Sequence, residues 1–371
     1  MATTVRVEGR REAIAVLAAA ILIGCQAQAD APSRSLNVAN VASAAPSGAP
    51  HPSSESSGPS APVRLPEDEA PHDVLTEWWY YTGHLWTDAG SRYGFQFVVF
   101  QSIRGTNPVG YLAHFAITDV ARERYSFAAR VAQRRAVPPS LSLEVGGWTL
   151  QGGAGRDILA AATEDYGLEL ALRPQKPAAL HAGGSISFGT AGNSYYYSRT
   201  RLTVAGTMRD GDSVSQVAGL AWHDHQWGNF IVAAVGGWDW FSIQLDDGAD
   251  LMLTVLRGAD GGRTALFGTY VDADGGLVDL TAEGIEVRAL GAWTSARTGA
   301  TYPSGWELAV GPIAERAVPR LNLRLVPVIA DQELAFDRMP YWEGAVDVSG
   351  VIDDRPAAGH GYVELTGYSP G

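Results

Sequence analysis

Apolar and polar side chains alternate along most of the chain after residue 66, and this alternation constrains the fold more than any other feature. The clearest alternating or apolar runs are residues 95–101, 112–118, 141–145 and 251–256. A period of two is typical of strands, whereas the 3.6-residue period of amphipathic helices is scarce. Turn signals separate the runs, at residues 88–90, 107–108, 246–248 and 272–276. We therefore predict an all-β protein of antiparallel barrels or sandwiches, and a closed barrel can enclose an apolar ligand.

Length and charge narrow the possible functions. The 371 residues predict two domains, since one domain usually has about 100–200 residues. A net charge of −13 with Lys176 as the single lysine argues against a nucleic-acid partner, which would require a basic surface. The sequence has no P-loop, Rossmann glycine pattern, nucleophile elbow or HExxH motif, and its single cysteine excludes a disulfide framework and a thiolate zinc site. We expect no cofactor.

The first 25 residues have the pattern of an export signal. Three arginines precede an apolar run at residues 13–23, which is shorter than the roughly 20 residues of a membrane span. Residues 22–25 resemble the lipobox of bacterial lipoproteins, which implies removal of residues 1–24 and lipidation of the Cys25 thiol. Gln26 rather than Asp follows the cysteine, and resemblance to the sorting rules of Gram-negative lipoproteins implies the periplasmic face of the outer membrane. The alternative is an ordinary signal peptide followed by a chance cysteine.

Residues 25–66 predict a flexible tether. They are rich in Ala, Ser, Pro and Gly and have almost no aromatic side chains. Such a segment buries too little apolar surface to fold. We therefore expect a globular body, beginning at residue 67, that is held near a membrane by a lipid on Cys25.

The segment 76–84 is the first of four that are richer in aromatic and polar groups than a sheet requires. On a strand, Glu77, Trp79 and Tyr81 share one face, opposite Trp78 and Tyr80. A core strand explains the tryptophans equally well. A carboxylate among aromatic rings, however, needs a partner or a raised pKa, so Glu77 is a candidate site residue together with Trp79 and Tyr81.

The segment 221–229 is the second. Alternation places His223, His225 and Trp227 on one face and Trp222, Asp224 and Gln226 on the other. Two histidines do not make a metal site without a third ligand from elsewhere, and we expect none. An aspartate between two histidines more often orients an imidazole than acts alone.

Two further segments follow. In residues 237–248, one face of the strand carries Trp238, Trp240, Ser242, Gln244 and Asp246. Asp246 is compatible both with a solvated turn and with a role in the site. The C-terminal segments 341–344 and 359–368 contain Glu343 and Glu364, and we interpret them as strands that close a barrel.

These segments, in this order, resemble the lipocalin-like carotenoid 1,2-hydratase (hydroxyneurosporene synthase) and AttH-like family. The matching residues are 77–84, 97–101, 172–177 with His181, 196–198, 221–228, 240–245 and 362–367. The resemblance implies two lipocalin-like domains, residues 67–230 and 231–371, with a ligand cavity near their junction. The fold also resembles that of fungal enzymes that cyclise polyenes, so the scaffold does not determine the reaction.

The family's functional residues transfer to four positions here. Its His-x-Trp motif falls on His225 and Trp227, and its downstream aromatic-x-Asp pair falls on Gln244 and Asp246. Gln244 replaces the expected tyrosine, and His223 stands where the family more often has an apolar residue. An exported protein also differs from an enzyme of carotenoid biosynthesis, which leaves the substrate open.

The hypothesis from sequence is acid-catalysed addition of water to an apolar, isoprenoid-like or lipid-like alkene. Asp224 or Asp246 would be the acid, with His225 as partner. The indoles of Trp227 and Trp240 would stabilise the cation, by about 2 kcal/mol when desolvated. Trp222 and Gln244 complete the expected substrate contacts. Two alternatives are a lipid carrier without catalysis and a hydrolase of small lipophilic esters.

Overall fold

The molecule, described here from a computed structural model, is built almost entirely from strands. The structure describes residues 63–369 except 106, 154, 188–191, 231–235, 259, 314–317 and 337–339. Within this part of the chain a single 3-10 turn, Glu67–Glu69, precedes twenty-one strands, and no helix there is long and apolar enough to span a membrane. The predicted all-β class is confirmed. The expected signal peptide, Cys25 and all but the last residues of the tether lie outside the described residues.

The first sheet has eleven antiparallel strands. They are β1 (Thr76–Thr87), β2 (Arg92–Ser102), β3 (Val109–Asp119), β4 (Arg124–Arg134), β5 (Ser142–Val145), β6 (Trp148–Gln151), β7 (Asp157–Ala162), β8 (Tyr166–Pro174), β9 (Ala179–Ser187), β10 (Asn193–Asp210) and β11 (Ser213–Gly228). Their order is β4-β3-β2-β1-β11-β10-β8-β7-β6-β5, with β9 paired to β10. The end strands β4 and β5 touch, so the sheet forms a nearly closed barrel.

The second sheet has ten antiparallel strands and curls into a half-barrel. They are β12 (Gly237–Leu245), β13 (Asp250–Arg257), β14 (Arg263–Val271), β15 (Leu277–Thr281), β16 (Ile285–Thr294), β17 (Thr301–Val310), β18 (Leu321–Pro327), β19 (Glu333–Leu334), β20 (Tyr341–Ile352) and β21 (Arg355–Leu365). Their order is β15-β14-β13-β12-β21-β20-β18-β17-β16, with β19 paired to β20. The two sheets confirm the predicted lipocalin-like architecture.

Strand β1 is covered on both faces, as its aromatic residues predicted. It pairs with β11 in a register that sets Trp79 opposite His225 and Tyr80 opposite Asp224. Odd-numbered residues of both strands point into the barrel, where Trp79 and Tyr81 belong to the main apolar core. Even-numbered residues point outward and are covered by the second sheet. The two faces of β11 therefore lead to two separate buried regions.

The outward region, which we call the junction, is where the two sheets pack on each other. An apolar cluster joins them, made of Tyr80, Val98, Tyr196 and Trp222 from the first sheet and Trp240, Met252, Ala345 and Tyr362 from the second. Strands β12, β20 and β21 supply most of the second sheet's share. Burial of these side chains stabilises the packing of the sheets.

A buried ion cluster also links the two sheets. The fully buried carboxylate of Asp250, on β13, accepts hydrogen bonds from Lys176 Nζ and Arg201 Nη2, both at 2.7 Å, and from Thr200 Oγ1 at 2.8 Å. Both cations belong to the first sheet's half of the chain. Complete pairing lets these charges be buried, since a lone buried charge is very costly.

Candidate functional site

The junction brings together three buried or nearly buried carboxyl groups among aromatic rings. Asp224 comes from β11, Glu343 from β20 and Glu364 from β21. Glu343 and Glu364 are directly opposite each other on paired strands and share a face. Trp240 of β12 is opposite Glu364 on its other side. Carboxyl groups so close together and so poorly solvated cannot all ionise easily.

Glu343 is the most buried of the three. Its Oε1 accepts a hydrogen bond of 2.6 Å from the Tyr80 hydroxyl, and its Oε2 is buried with no hydrogen-bond partner among the described residues. Burial, together with the charge of Glu364, raises the pKa of Glu343 well above its usual value. Burial therefore favours the protonated form of Glu343, and its Oε2 makes no hydrogen bond to the described residues.

Unlike Glu343, Glu364 is partly exposed to solvent. Its Oε2 accepts a hydrogen bond of 2.7 Å from Trp238 Nε1. Burial raises the pKa of Glu364 to about 7, and the hydrogen bond from Trp238 opposes the rise. The pair therefore combines Glu343, whose pKa is raised well above its usual value, with Glu364, whose pKa is about 7.

Asp224 is held as an anion by three donors. The Tyr196 hydroxyl and Trp222 Nε1 each donate at 2.6 Å, and the Ser198 hydroxyl donates a further short bond. Burial raises the pKa of Asp224 to about 6, and the three hydrogen bonds, which favour the ionised form, limit the rise. At neutral pH this group carries a negative charge next to Trp222, and Trp240 Nε1 donates at 3.3 Å to the Tyr196 hydroxyl that binds it.

A hydrogen-bonded chain behind Asp224 crosses to the second sheet. His181 Nε2 is 2.6 Å from the Ser198 hydroxyl, and His181 Nδ1 is 2.7 Å from the Thr269 hydroxyl on β14. Burial lowers the pKa of His181 to about 3, so the imidazole is neutral. This chain positions Ser198, and through it the Asp224 carboxylate.

Inside the barrel, Glu77 accepts hydrogen bonds from two histidines through one oxygen. Its Oε1 is 2.8 Å from His225 Nε2 and 2.7 Å from His72 Nδ1. Its Oε2 accepts from Gln101 Nε2 at 2.9 Å and from the backbone N–H of His72 at 2.7 Å. Glu77 and His225 are fully buried, while the His72 side chain is 22% exposed.

The two imidazoles have opposite protonation tendencies. Burial lowers the pKa of His225, and the hydrogen bond and charge of Glu77 only partly compensate. Burial is weaker at His72, where the hydrogen bonds and charges of Glu77 and Asp68 raise the pKa. The two shifts therefore favour His72 over His225 as the protonated imidazole. Trp227 stacks on His72 with ring centroids 4.5 Å apart, and Trp79 stacks on His225 at 4.9 Å.

The structure separates residues that the sequence hypothesis combined. Asp224 and His225 do not interact, because adjacent residues of a strand point to opposite faces; the partner of His225 is Glu77. Tyr81 lies in the barrel, where its hydroxyl donates to Asp157 at 2.9 Å. Trp222 and Trp240 are at the junction, whereas Glu77, Trp79 and Trp227 are in the barrel with His225.

The family-derived pair of Gln244 and Asp246 is also divided. Gln244 is buried between the sheets, and its Nε2 donates to the backbone oxygens of Thr200 at 2.7 Å and Ala221 at 3.0 Å. Asp246 is exposed in the turn between β12 and β13, so the structure does not bring it to the other carboxyl groups. His223, on the His225 face, stacks on Tyr81, and both of its nitrogens lack a hydrogen-bond partner among the described residues.

Sequence analysis did not identify three residues of these sites as candidates. Glu343 and Glu364 lie in segments interpreted as structural strands, although both alternate with aromatic residues in the way that marked Glu77. His72 precedes β1 in a segment without regular structure. His72 lies five residues before Glu77 and outside any alternating run, so the sequence did not predict its contact with the Glu77 and His225 pair.

Two curled antiparallel sheets that enclose a polar and aromatic junction define a two-domain, lipocalin-like protein. The chain belongs to the AttH-like family, whose model matches residues 56–368. This confirms the AttH-like part of the resemblance seen in the sequence. A search of curated proteins found no significant match.

Solved structures show the same fold. The crystal structure of an AttH candidate from Nitrosomonas europaea has a TM-score of 0.74 and 31% identity, covering 85% of this chain and 99% of that chain. Kievitone hydratase from Nectria haematococca has a TM-score of 0.67 at 18% identity, covering 82% of this chain and 93% of the other. CghA with Sch210972 has a TM-score of 0.50 at 12% identity, covering 80% and 89%.

Proposed function

We propose that the protein adds water to a carbon–carbon double bond of an apolar, isoprenoid-like or lipid-like substrate bound at the junction. The observation that carries this proposal is the pairing of Glu343 and Glu364 on neighbouring strands, beside Trp240. Protonating an alkene carbon requires a carboxylic acid that is neutral at working pH, and burial raises the pKa of Glu343 in the direction that favours this form. The fold shared with kievitone hydratase is compatible with this reaction class but does not assign a substrate.

In the proposed reaction, Glu343 transfers its proton to the less substituted alkene carbon, leaving a tertiary cation on its neighbour. The rings of Trp222 and Trp240 and the Asp224 carboxylate stabilise this charge; a cation over a desolvated ring gains about 2 kcal/mol. A water molecule then forms the C–O bond, and Glu364 accepts its proton. Proton transfer from Glu364 to Glu343 restores the starting state. This assigns the acid to Glu343 rather than to Asp224 or Asp246.

The experiment uses the purified full chain and lipids that co-purify with it, followed by a panel of isoprenoid alkenes in oxygen-18 water. Mass spectrometry should detect a product that has gained one labelled water. Glu343→Gln should lower the rate by about 100-fold or more, the usual range for loss of a general acid. Glu307→Gln is the matched control, since that glutamate pairs with Arg288 on the half-exposed surface of the second sheet.

The competing function is binding without chemistry. Ligands recovered unchanged, with no label in any product, would contradict the hydratase proposal and favour a lipid carrier. Cleavage of an ester, with label in the released acid, would favour the hydrolase alternative instead.

A further inference from the structure

The Glu77 cluster inside the first barrel is separate from the junction, and the proposed reaction does not use it. We propose that His72, Glu77 and His225 bind a divalent transition metal ion, with Zn²⁺ as the best match. Their ligand atoms, one from each side chain, all lie within 4.8 Å of one another. Two imidazole nitrogens and one carboxylate oxygen form a donor set that proteins use for zinc with an open coordination position.

The spacing of the donors suits this ion. Tetrahedral zinc with bonds of about 2.0–2.2 Å sets its ligand atoms roughly 3.3 Å apart. Here Glu77 Oε1 is 2.7 Å from His72 Nδ1 and 2.8 Å from His225 Nε2. These distances are those of hydrogen bonds, and small side-chain rotations would open them to ligand spacing. Binding would release the hydrogens that the imidazoles now donate to Glu77.

The second nitrogen of each histidine already has a polar neighbour, which is the strongest argument for a built site. His72 Nε2 is 3.5 Å from Asp68 Oδ1. His225 Nδ1 is 3.3 Å from the Tyr197 hydroxyl, so its Nε2 is the atom left for an ion. Metal-ligating histidines typically have their second nitrogen oriented in this way by a carboxylate, a carbonyl or another polar group.

The carboxylate ligand has the same support. Gln101 donates to Glu77 Oε2, and its own Oε1 accepts a hydrogen bond of 2.7 Å from the Tyr111 hydroxyl. These bonds leave Oε1 of Glu77 directed at the two histidines. Ligating carboxylates in proteins are held by hydrogen bonds of this kind.

The site is open to solvent on the side of His72. His72 is 22% exposed, whereas the other two donors are fully buried, so an ion has a route from solvent at His72. The stacked ring of Trp227 shields the cluster on one side. Three protein ligands leave a coordination position for water or for the oxygen of a small anionic ligand.

The test measures Zn²⁺ binding to the full chain, stripped with a chelator, by calorimetry and elemental analysis. A Cys25→Ser background removes the only thiol as a competing ligand. We expect one Zn²⁺ per chain and no uptake of Mg²⁺, which prefers oxygen donors. His72→Gln should weaken binding by at least about 100-fold, since even an outer partner is worth 10–100-fold. Tyr197→Phe should weaken it by about 10-fold.

Matched variants separate this site from other histidines. His360→Gln, at a partly exposed histidine of the second sheet, should leave zinc affinity unchanged. Co²⁺ bound to the wild type should give visible absorption bands of a four-coordinate ion that His72→Gln lacks. Zinc affinity that is equal in wild type, His72→Gln and Glu77→Gln would overturn the proposal and show a hydrogen-bonded cluster only. Because this readout is metal binding, it is independent of the hydratase assay.

Discussion

The Tyr80 hydroxyl donates a 2.6 Å hydrogen bond to Oε1 of Glu343, and this bond joins the barrel's outer face to the second sheet. It gives the most buried carboxyl group of the junction its single hydrogen bond among the described residues. Burial raises the pKa of Glu343 well above its usual value, and the hydrogen bond from Tyr80 opposes that rise without cancelling it.

Removing this hydroxyl should weaken the packing of the two sheets. Tyr80→Phe leaves Glu343 without a donor, and we expect the free energy of unfolding to fall by about 1–2 kcal/mol. Urea denaturation measures the loss. Tyr93→Phe is the control, because it removes a tyrosine–carboxylate bond to Asp210 that is only partly buried. Equal losses in the two variants would contradict the role of the junction bond.

The Asp250 cluster should contribute more, because two cations depend on one buried carboxylate. Asp250→Asn leaves Lys176 and Arg201 without their anion, and we expect a loss of about 3 kcal/mol or more in the free energy of unfolding. Glu307→Gln breaks a more exposed pair and should cost less than about 1 kcal/mol. If Asp250→Asn lowers the free energy of unfolding by as little as Glu307→Gln does, the expected contribution of the buried cluster is contradicted.

Glu364 should make stability depend on pH. Its folded pKa of about 7 lies above the ordinary value of 4.5, so the folded state holds a proton that the unfolded state releases. Its contribution is complete below about pH 4.5 and is lost as pH rises through about 7. Glu364→Gln should thus gain stability relative to wild type between pH 5 and about 8. Denaturation at several pH values tests this, and a constant difference would contradict it.

Once a substrate is identified, the kcat values of variants show which carboxyl groups take part in the reaction. Asp224→Asn should lower kcat by about 100-fold, since a negative charge next to the proposed cation is lost. Asp246→Asn should have little effect, because its side chain is exposed in a turn. A large loss at Asp246 with full activity at Asp224 would restore the assignment made from family resemblance and contradict the junction mechanism.

Export and anchoring rest on the sequence pattern alone, and we propose them on that basis. Cys25→Ser should release the chain from the membrane fraction, because the substitution removes the thiol that would carry the lipid. Fractionation and metabolic labelling with palmitate measure this. Unchanged retention without label would refute lipidation of Cys25.

Much of this architecture follows from local pattern. Alternation in residues 95–101, 112–118 and 251–256 predicts the strands that the structure shows as β2, β3 and β13. It also assigns His225 and Trp227 to one face of β11 and Asp224 to the other. Side-chain direction along a strand has a strict period of two, so it can be read without knowledge of the partners.

Which strand covers each face was decided only in the tertiary structure. Glu343 meets Tyr80 across 263 positions of sequence, and His72 reaches Glu77 from a segment with no periodicity. Alternation predicts the face of the strand on which a side chain lies, but it does not predict which residues that side chain contacts. Contacts between sheets depend on how both sheets curl and pack. For this reason the sequence identified Glu77, Asp224 and His225 as unusual, while the fold assigned them to two separate sites.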